Sequence, residues 1–214
     1  AGAMCYEALR GTTKALDPRI HANKHHEEQG SSADNLRRML AGSNICENHV
    51  NDKVQDAYVM RCMPHIHGAA KKLVKEAYEV IVDEMHSVSD NPEIFAEGAD
   101  DGVALMSGNF DGSFVGAHAD MISMACAIIG KVVERGTDRM VNRNLNDGLP
   151  AFLVSNPGLN SGFMIPQYTA AGLMNEIKHL AIPATIDSIP TCAGQEDPVS
   201  MAYYASKKAQ ACVR

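Results

Sequence analysis

Apolar residues recur at steps of three and four along the segment that starts near Pro64, which predicts an amphipathic helix of about five to six turns. Charged residues occupy the opposite face, so this helix should pack one side against a core. The apolar positions are Ala69, Ala70, Leu73, Val74, Ala77, Val80, Ile81 and Met85.

A second apolar segment, from Phe114 to about Asn142, is hydrophobic nearly all round and predicts a helix at the centre of a bundle. His118, Asp120 and Ser123 interrupt its most apolar stretch, which favours a buried helix over a membrane span. A further helix is predicted over residues 167–181.

The remaining helices are shorter. The pattern predicts a helix over 1–9, an irregular polar connection over 20–32 and a short helix over 33–41 that Ser32 caps. Residues 206–214 also read as helical. Because the first and last helices carry no start or stop signals, we expect the polypeptide to extend in both directions.

Long loops connect these helices over residues 87–112, 145–162 and 183–198. Long loops inside a compact domain are usually functional, so we expect an all-α bundle whose loops build the site. The loops and the segment before Pro64 hold the polar residues of interest, which are Gln55, Tyr58, Arg61, Asn109, Asn160, Ser161, Gln195 and Glu196.

Composition excludes several classes of protein. A formal net charge of −7 argues against a nucleic-acid surface or a surface that binds anionic membranes. The six cysteines are scattered without a CxxC pair, which favours reduced thiols and a cytoplasmic protein. The nine histidines show no zinc-ligand spacing, and no GxSxG motif is present, so we expect neither a metal site nor a serine nucleophile.

The run from Gln55 to Cys62 carries candidate chemistry. If it is locally helical, Gln55, Tyr58 and Arg61 share one face. Arginine offers a planar fork for a substrate carboxylate, tyrosine can transfer protons, and glutamine can orient either partner. The alternative is a surface salt bridge beside a half-buried tyrosine.

Glu196 lies just ahead of a helix-like stretch, in the run Gln195-Glu196-Asp197-Pro198. Acidic residues at such positions are usually helix caps. The functional alternative is a carboxylate that faces an imidazole or accepts a proton.

Several motifs, in order along nearly the whole chain, together resemble the aromatic amino acid ammonia-lyase family, and most closely its histidine branch. The resemblance is carried by Leu16-Asp17-Pro18-Arg19-Ile20-His21, the run Gln55–Cys62 with Met63-Pro64, Asp90-Asn91-Pro92, Ser107-Gly108-Asn109-Phe110, Leu149–Leu153, Asn160–Met164, Asp187–Thr191 and Gln195-Glu196-Asp197.

The resemblance implies a homotetramer of long helical bundles with the fumarase/aspartase-like fold. It also implies a carbon–nitrogen lyase of histidine catabolism, eliminating ammonia from an α-amino acid, with L-histidine giving urocanate as the leading reaction. Such enzymes use a methylidene-imidazolone (MIO) electrophile that forms from an internal Ala-Ser-Gly. Their active sites combine residues of several subunits.

By the same resemblance, Arg61 would bind the carboxylate, Tyr58 and Gln55 would line the site near the electrophile, and Phe110 would pack beside it. Glu196 would meet the imidazole ring or take part in proton transfer. Asn109, Asp111 and Gln195 complete the predicted substrate-binding set. We expect these side chains to converge on one cavity that other polypeptide completes.

The chain contains no Ala-Ser-Gly. We therefore expect residues 1–214 to be a single fragment of a larger helical lyase domain, lacking the part that bears the electrophile, and inactive alone.

Three residues depart from the histidine pattern. Asp111 stands where a histidine usually follows Ser-Gly-Asn-Phe, His65 stands where the family has glutamine, and Pro198 replaces a histidine. An added carboxylate would favour a cationic substrate group. The alternatives are therefore an eliminase or aminomutase acting on another imidazole or aromatic amino acid, such as ergothionase-like loss of trimethylamine, or a non-catalytic helical fragment.

Overall fold

The structure is a computed structural model that describes residues 1–96 and 102–214. Helices dominate it, which confirms the predicted helical class. The helices are α1 (Gly2–Ala8), α2 (Pro18–Ala22), α3 (Glu27–Leu40), α4 (Asn44–Asn48), α5 (Tyr58–Arg61), α6 (Met63–Met85), α7 (Ser113–Val141), α8 (Met164–Leu180) and α9 (Ala202–Val213), with 3-10 turns at Thr13–Leu16, Ala151–Leu153 and Cys192–Gly194.

These elements form two compact units. Unit 1 comprises Ala1–Lys72 and Ala125–His179, and unit 2 comprises Leu73–Met124 and Leu180–Arg214. The expectation that the chain is a fragment of one larger lyase domain stays a prediction.

The core of unit 1 gathers around α1. Tyr6, Leu9 and Leu16 are fully buried, as are Met60 in α5 and Met63 at the start of α6. A buried hydroxyl needs a hydrogen-bond partner, and the Tyr6 hydroxyl donates to the carbonyl of Met60 across 2.8 Å. This bond attaches the short helix α5 to α1.

Helices α3 and α6 approach each other closely at Gly68. A Cβ built on Gly68 would lie 2.6 Å from Cα and 2.7 Å from the backbone nitrogen of Gln29. Only glycine fits at this contact, because the atoms that a side chain would meet belong to the backbone of the neighbouring helix.

Unit 2 has a core of small residues, Ala119, Ala184, Ala205 and Ala209. Beside it lies a buried polar group: the Asp120 carboxylate accepts from Thr185 N at 2.9 Å and lies 3.3 Å from the ammonium of Lys208. Polar residues at such depth are stable only when paired, and here each has its partner.

A two-stranded hairpin lies within the stretch 87–112 that the sequence predicted as loop. β1 (Glu93–Phe95) pairs antiparallel with β2 (Val103–Leu105), so that Ile94 faces Ala104. Three residues per strand are too few to show a period of two above the surrounding polar sequence, which is why the pattern missed them.

The predicted connection 20–32 was wrong, because the end of α2 and the first six residues of α3 lie there. Ser32 is not a cap but an internal helical residue, and its hydroxyl donates to the carbonyl of Glu28 at 2.8 Å. Tertiary contacts stabilise this polar helix start: Gln29 is buried and its amide bonds Nδ1 of His21 at 2.9 Å. The predicted end at Gly42 is confirmed by its φ of 76°.

The two later helices were predicted well, although α8 begins at Met164, three residues before its predicted start. α7 has the length and composition to cross a membrane, as does no other helix in the described part of the chain. The sequence predicted that this helix lies in the interior of a bundle. In the described chain it is only partly covered, because Phe114 and Val133 remain 67% and 43% exposed.

Candidate active site

Asp56 anchors the segment that carries the first group of candidate residues. Its buried carboxylate accepts the backbone N–H of Thr12 at 2.9 Å and 3.1 Å and the hydroxyl of Thr12 at 3.0 Å. A buried carboxylate needs such donors to replace its lost hydration. The chain just before α5 is thereby tied to the turn that follows α1.

Tyr58 and Arg61 lie at the two ends of α5, but Gln55 precedes this helix and is exposed. The single helical face predicted for all three residues was therefore wrong. The chain bends at residues 54 and 55, residues 56 and 57 have no regular structure, and the helix starts only at Tyr58.

Arg61 is half-buried and its orientation is defined. Its Nε donates to the backbone carbonyl of Asp56 at 2.9 Å. Within residues 1–96 and 102–214 no carboxylate pairs with it and no acceptor bonds Nη1 or Nη2. The described residues therefore do not form the surface salt bridge that was the alternative. Nη1 and Nη2 of the guanidinium stay available to a ligand.

Tyr58 is 72% exposed, so the alternative of a half-buried tyrosine is also wrong. A hydrogen bond with the Cys62 thiol raises the pKa of the Tyr58 phenol, and the nearby Arg61 charge lowers it by less. The phenol consequently keeps its proton at neutral pH in this chain, and can act as a hydrogen-bond or proton donor.

In unit 2, Glu93 organises the loop that precedes α7. Its Oε1 accepts the Asn109 amide Nδ2 at 2.6 Å and the Ser107 hydroxyl at 3.0 Å. One N–H of the Asn109 side-chain amide is thereby engaged, and the residue is exposed. Phe110, the next residue, is 60% exposed.

Asp111 sits at the start of α7 rather than standing free. Its Oδ1 accepts the backbone N–H of Ser113, the first residue of that helix, at 2.9 Å. The partial positive charge of a helix N-terminus stabilises a carboxylate there. This bond at the helix start explains why an aspartate stands at position 111. No cationic substrate group is needed to explain it.

Glu196 is exposed and is not a helix cap, because α9 begins six residues later, at Ala202. It bridges to Thr191 instead, with Thr191 N donating to the Glu196 carbonyl at 2.9 Å and the Thr191 hydroxyl reaching Oε2 at 3.4 Å. Gln195 is exposed beside it. The cap alternative is thus excluded, and the carboxylate faces outward.

His65 packs inside unit 1 against His21, with ring centroids 5.8 Å apart. Burial first, and then His21 and Lys24, lower the pKa of His65, so that its ring is neutral at pH 7. The histidine at position 65, where the family has glutamine, therefore adds no positive charge there at pH 7.

The described residues contain no group of three or more histidine, cysteine or acidic side chains arranged to hold a metal ion. None of the six cysteines, all of which lie in the described residues, forms a disulfide. The candidate chemistry rests on the two groups described above, each within its own unit.

Comparison with known proteins decides the family. The family model described as aromatic amino acid lyase matches residues 1–214. The chain belongs to this family.

Individual relatives agree with that assignment. This aromatic amino acid lyase chain is 45% identical over 212 residues to a histidine ammonia-lyase of Geobacillus kaustophilus, covering 99% of the chain and 41% of the relative. The crystal structure of histidine ammonia-lyase from Trypanosoma cruzi superposes with a TM-score of 0.86 at 39% identity, covering 99% of this chain and 39% of that one. A phenylalanine aminomutase of Pantoea agglomerans gives a TM-score of 0.90 at 26% identity, covering 99% and 44%.

The chain spans about two fifths of the length of the curated relatives that it matches. The family motifs located Tyr58, Arg61 and Asn109 but gave no role to Asp56 or Glu93. Asp56 could have been noticed as an acidic residue inside the Gln55–Cys62 motif, whereas no sequence signal pairs Glu93 with a loop 14 and 16 residues later.

Proposed function

We propose that the complete protein is a carbon–nitrogen lyase that converts L-histidine to urocanate and ammonia. The observation that carries this proposal is the geometry of Arg61, whose Nε is bonded to Asp56 while its outer nitrogens are open. An arginine so oriented binds a carboxylate through two parallel hydrogen bonds. The 45% identity to a histidine ammonia-lyase supports histidine as the amino acid.

The remaining candidates take roles that fit their surroundings. Tyr58 holds its proton and donates to the substrate near the reacting carbons, and Gln55 orients the bound ligand. Glu196, which is exposed, accepts the N–H of the substrate imidazole. Elimination then takes a proton from Cβ and breaks the bond between Cα and the amino group; the proton leaves with the amino group as ammonium, and the unsaturated acid remains.

A second set of candidates lies in the loop before α7. We propose that Asn109 presents its amide oxygen to the substrate and that Phe110 packs beside it, with Gln195 as a further contact. Asp111 contributes mainly by holding the start of α7, since its carboxylate already bonds Ser113.

The methylidene-imidazolone that the family uses would come from polypeptide outside residues 1–214, because this sequence has no Ala-Ser-Gly. The exposed phenol of Tyr58 leaves room for a planar group supplied in this way, and the ring of Phe110 is likewise exposed in its own unit. When present, the group supplies the electrophile that activates the substrate for loss of its amino group. We propose that the purified chain alone forms no urocanate.

We propose that the complete enzyme is a cytoplasmic homotetramer. Its cysteines are scattered and form no disulfide among the described residues, which supports a reducing compartment. The incomplete cover of α7, with Phe114 and Val133 exposed in this chain, supports burial against further polypeptide.

Substrate profiling of the complete enzyme tests the reaction. L-histidine should give the highest kcat/KM, ahead of L-phenylalanine, L-tyrosine and a trimethylated thio-imidazole betaine, with urocanate followed by its absorbance. Preference for the betaine or for an aromatic amino acid would replace histidine with that substrate.

Variants test the residues. Arg61→Ala should raise KM for histidine about a hundredfold, because a charge-assisted pair is lost. Glu196→Gln should lower kcat/KM for histidine more than for phenylalanine, which has no imidazole. Arg38→Ala, at an exposed arginine of α3, is the control and should behave as wild type. Full activity in both Arg61→Ala and Glu196→Gln would refute the site.

A further inference from the structure

Two buried residues, Asp56 and Thr12, are connected to Arg61: the Asp56 backbone carbonyl accepts from Nε of Arg61, and Thr12 donates to the Asp56 carboxylate. We propose that they are positioning residues for Arg61: they fix the backbone carbonyl that orients the guanidinium for carboxylate binding. This inference rests on the proposed role of Arg61 in binding the substrate carboxylate.

The first step is the rigidity of Asp56. Its carboxylate is 4% exposed, Thr12 is 2% exposed, and the backbone N–H and hydroxyl of Thr12 both donate to it. Both carboxylate oxygens take part, so the side chain has little freedom to rotate. Such charge-assisted bonds in a buried setting are strong.

The second step is the backbone of the same residue. The Asp56 carbonyl accepts Nε of Arg61 at 2.9 Å. The carbonyl and the side chain of Asp56 are attached to the same Cα. Fixing the carboxylate through Thr12 therefore also restrains the carbonyl. Nε, Nη1 and Nη2 lie in one plane, so a bond at Nε sets the direction in which both outer nitrogens point.

The third step distinguishes a positioning role for Asp56 from a role in fold stability alone. A second buried bond, from the Tyr6 hydroxyl to the Met60 carbonyl at 2.8 Å, also attaches α5 to α1. It does not involve Asp56 or the guanidinium. Loss of either bond should destabilise the fold, but only loss of the Asp56 contacts should disturb the orientation of Arg61.

The test measures how strongly the complete enzyme prefers a carboxylate over a neutral isostere. Imidazolepropionate and its carboxamide serve as competitive inhibitors, and the ratio of their inhibition constants reports the carboxylate interaction. Asp56→Asn should reduce the wild-type preference about tenfold, with KM rising more than kcat falls. Thr12→Val, which removes the hydroxyl donor alone, should reduce it about threefold, and Thr12→Ser should restore it.

Tyr6→Phe is the matched control. It should lower the denaturation midpoint while leaving the inhibitor preference at the wild-type value. If Asp56→Asn does not fold, the comparison of Thr12→Val with Thr12→Ser carries the test.

Two outcomes would overturn the inference, and they differ. An unchanged preference in Asp56→Asn and Thr12→Val, with the preference abolished in Arg61→Ala, removes the positioning role and leaves Arg61 as the carboxylate ligand. An unchanged preference in Arg61→Ala itself removes the proposed role of Arg61 and the inference together.

Discussion

Arg61 donates its Nε–H to the backbone carbonyl of Asp56, five residues earlier in the chain, across 2.9 Å. The bond uses the inner nitrogen of the guanidinium and leaves the outer pair open. A side chain that donates to this carbonyl and also binds a carboxylate needs several N–H donors in one fixed plane. Among the natural amino acids only arginine supplies them.

Arg61→Lys should therefore behave almost as badly as removal of the side chain, although the charge is kept. A lysine ammonium cannot bond the Asp56 carbonyl and present a two-pronged donor at the same time. We expect KM for histidine in the complete enzyme to rise at least about tenfold. Arg38→Lys, at an exposed position of α3, is the control and should leave KM unchanged in the same steady-state assay. A wild-type KM in Arg61→Lys would contradict the proposal that the two outer nitrogens of Arg61 bind the carboxylate together.

Gly68→Ala should destabilise the protein by about 1–3 kcal/mol or more, because the new methyl group would collide with the backbone of Gln29. Gly30→Ala in the adjoining helix is a suitable control, since a Cβ there meets no heavy atom of the described chain within 4 Å. It should be neutral or stabilising by up to about 1 kcal/mol. Denaturant midpoints compare the two; equal midpoints would mean that the helices do not meet closely at Gly68.

The buried pair Asp120–Lys208 should show strong coupling in a double-mutant cycle. Lys208→Met leaves the Asp120 carboxylate without its cation, which typically costs about 3–5 kcal/mol. Adding Asp120→Asn removes the stranded charge, so the double variant should be more stable than the sum of the single effects predicts. Lys207→Met, at the exposed neighbour on α9, should cost less than about 1 kcal/mol. Additive effects would show that the pair does not interact.

Stability in acid should depend on Asp120. Burial raises the pKa of its carboxyl, but hydrogen bonds from Thr185 and Ala184 and the charge of Lys208 outweigh burial, so that the pKa lies below its ordinary value of 3.8. The folded state thus holds the proton more weakly than the unfolded state. Its contribution is complete above pH 3.8 and disappears as the pH falls through the lower, folded value.

Unfolding free energies measured from about pH 5 downward should therefore fall more steeply in wild type than in Asp120→Asn, by up to about 1.4 kcal/mol per pH unit. Parallel curves would contradict the depressed pKa.

Removing the Cys62 thiol should lower the pKa of Tyr58. Its hydrogen bond with Cys62 raises that pKa above the ordinary value of 10.0, so Cys62→Ala should move it back toward 10.0. Phenolate absorbance during alkaline titration measures the change, and subtraction of the Tyr58→Phe curve isolates the Tyr58 signal. A Tyr58 titration that does not move in Cys62→Ala would exclude the hydrogen bond as the cause.

The sequence by itself determined the family, the long helices and most candidate residues. Apolar periodicity over 20 or more residues is a local signal, and it located α6 and α7 to within a residue or two. The motif around Tyr58 and Arg61 likewise stands in contiguous sequence and needs no folding to be read.

Only the tertiary structure decided what holds those residues in place. Asp56 bonds Thr12 across 44 positions of sequence, and Asp120 meets Lys208 across 88, so no local pattern could pair them. Short elements were missed for the same reason: the start of α3 is polar and becomes a stable helix through contacts such as that of Gln29 with His21. Helix periodicity follows from the geometry of adjacent residues, whereas the burial and pairing of a polar side chain depend on whichever distant segment folds against it.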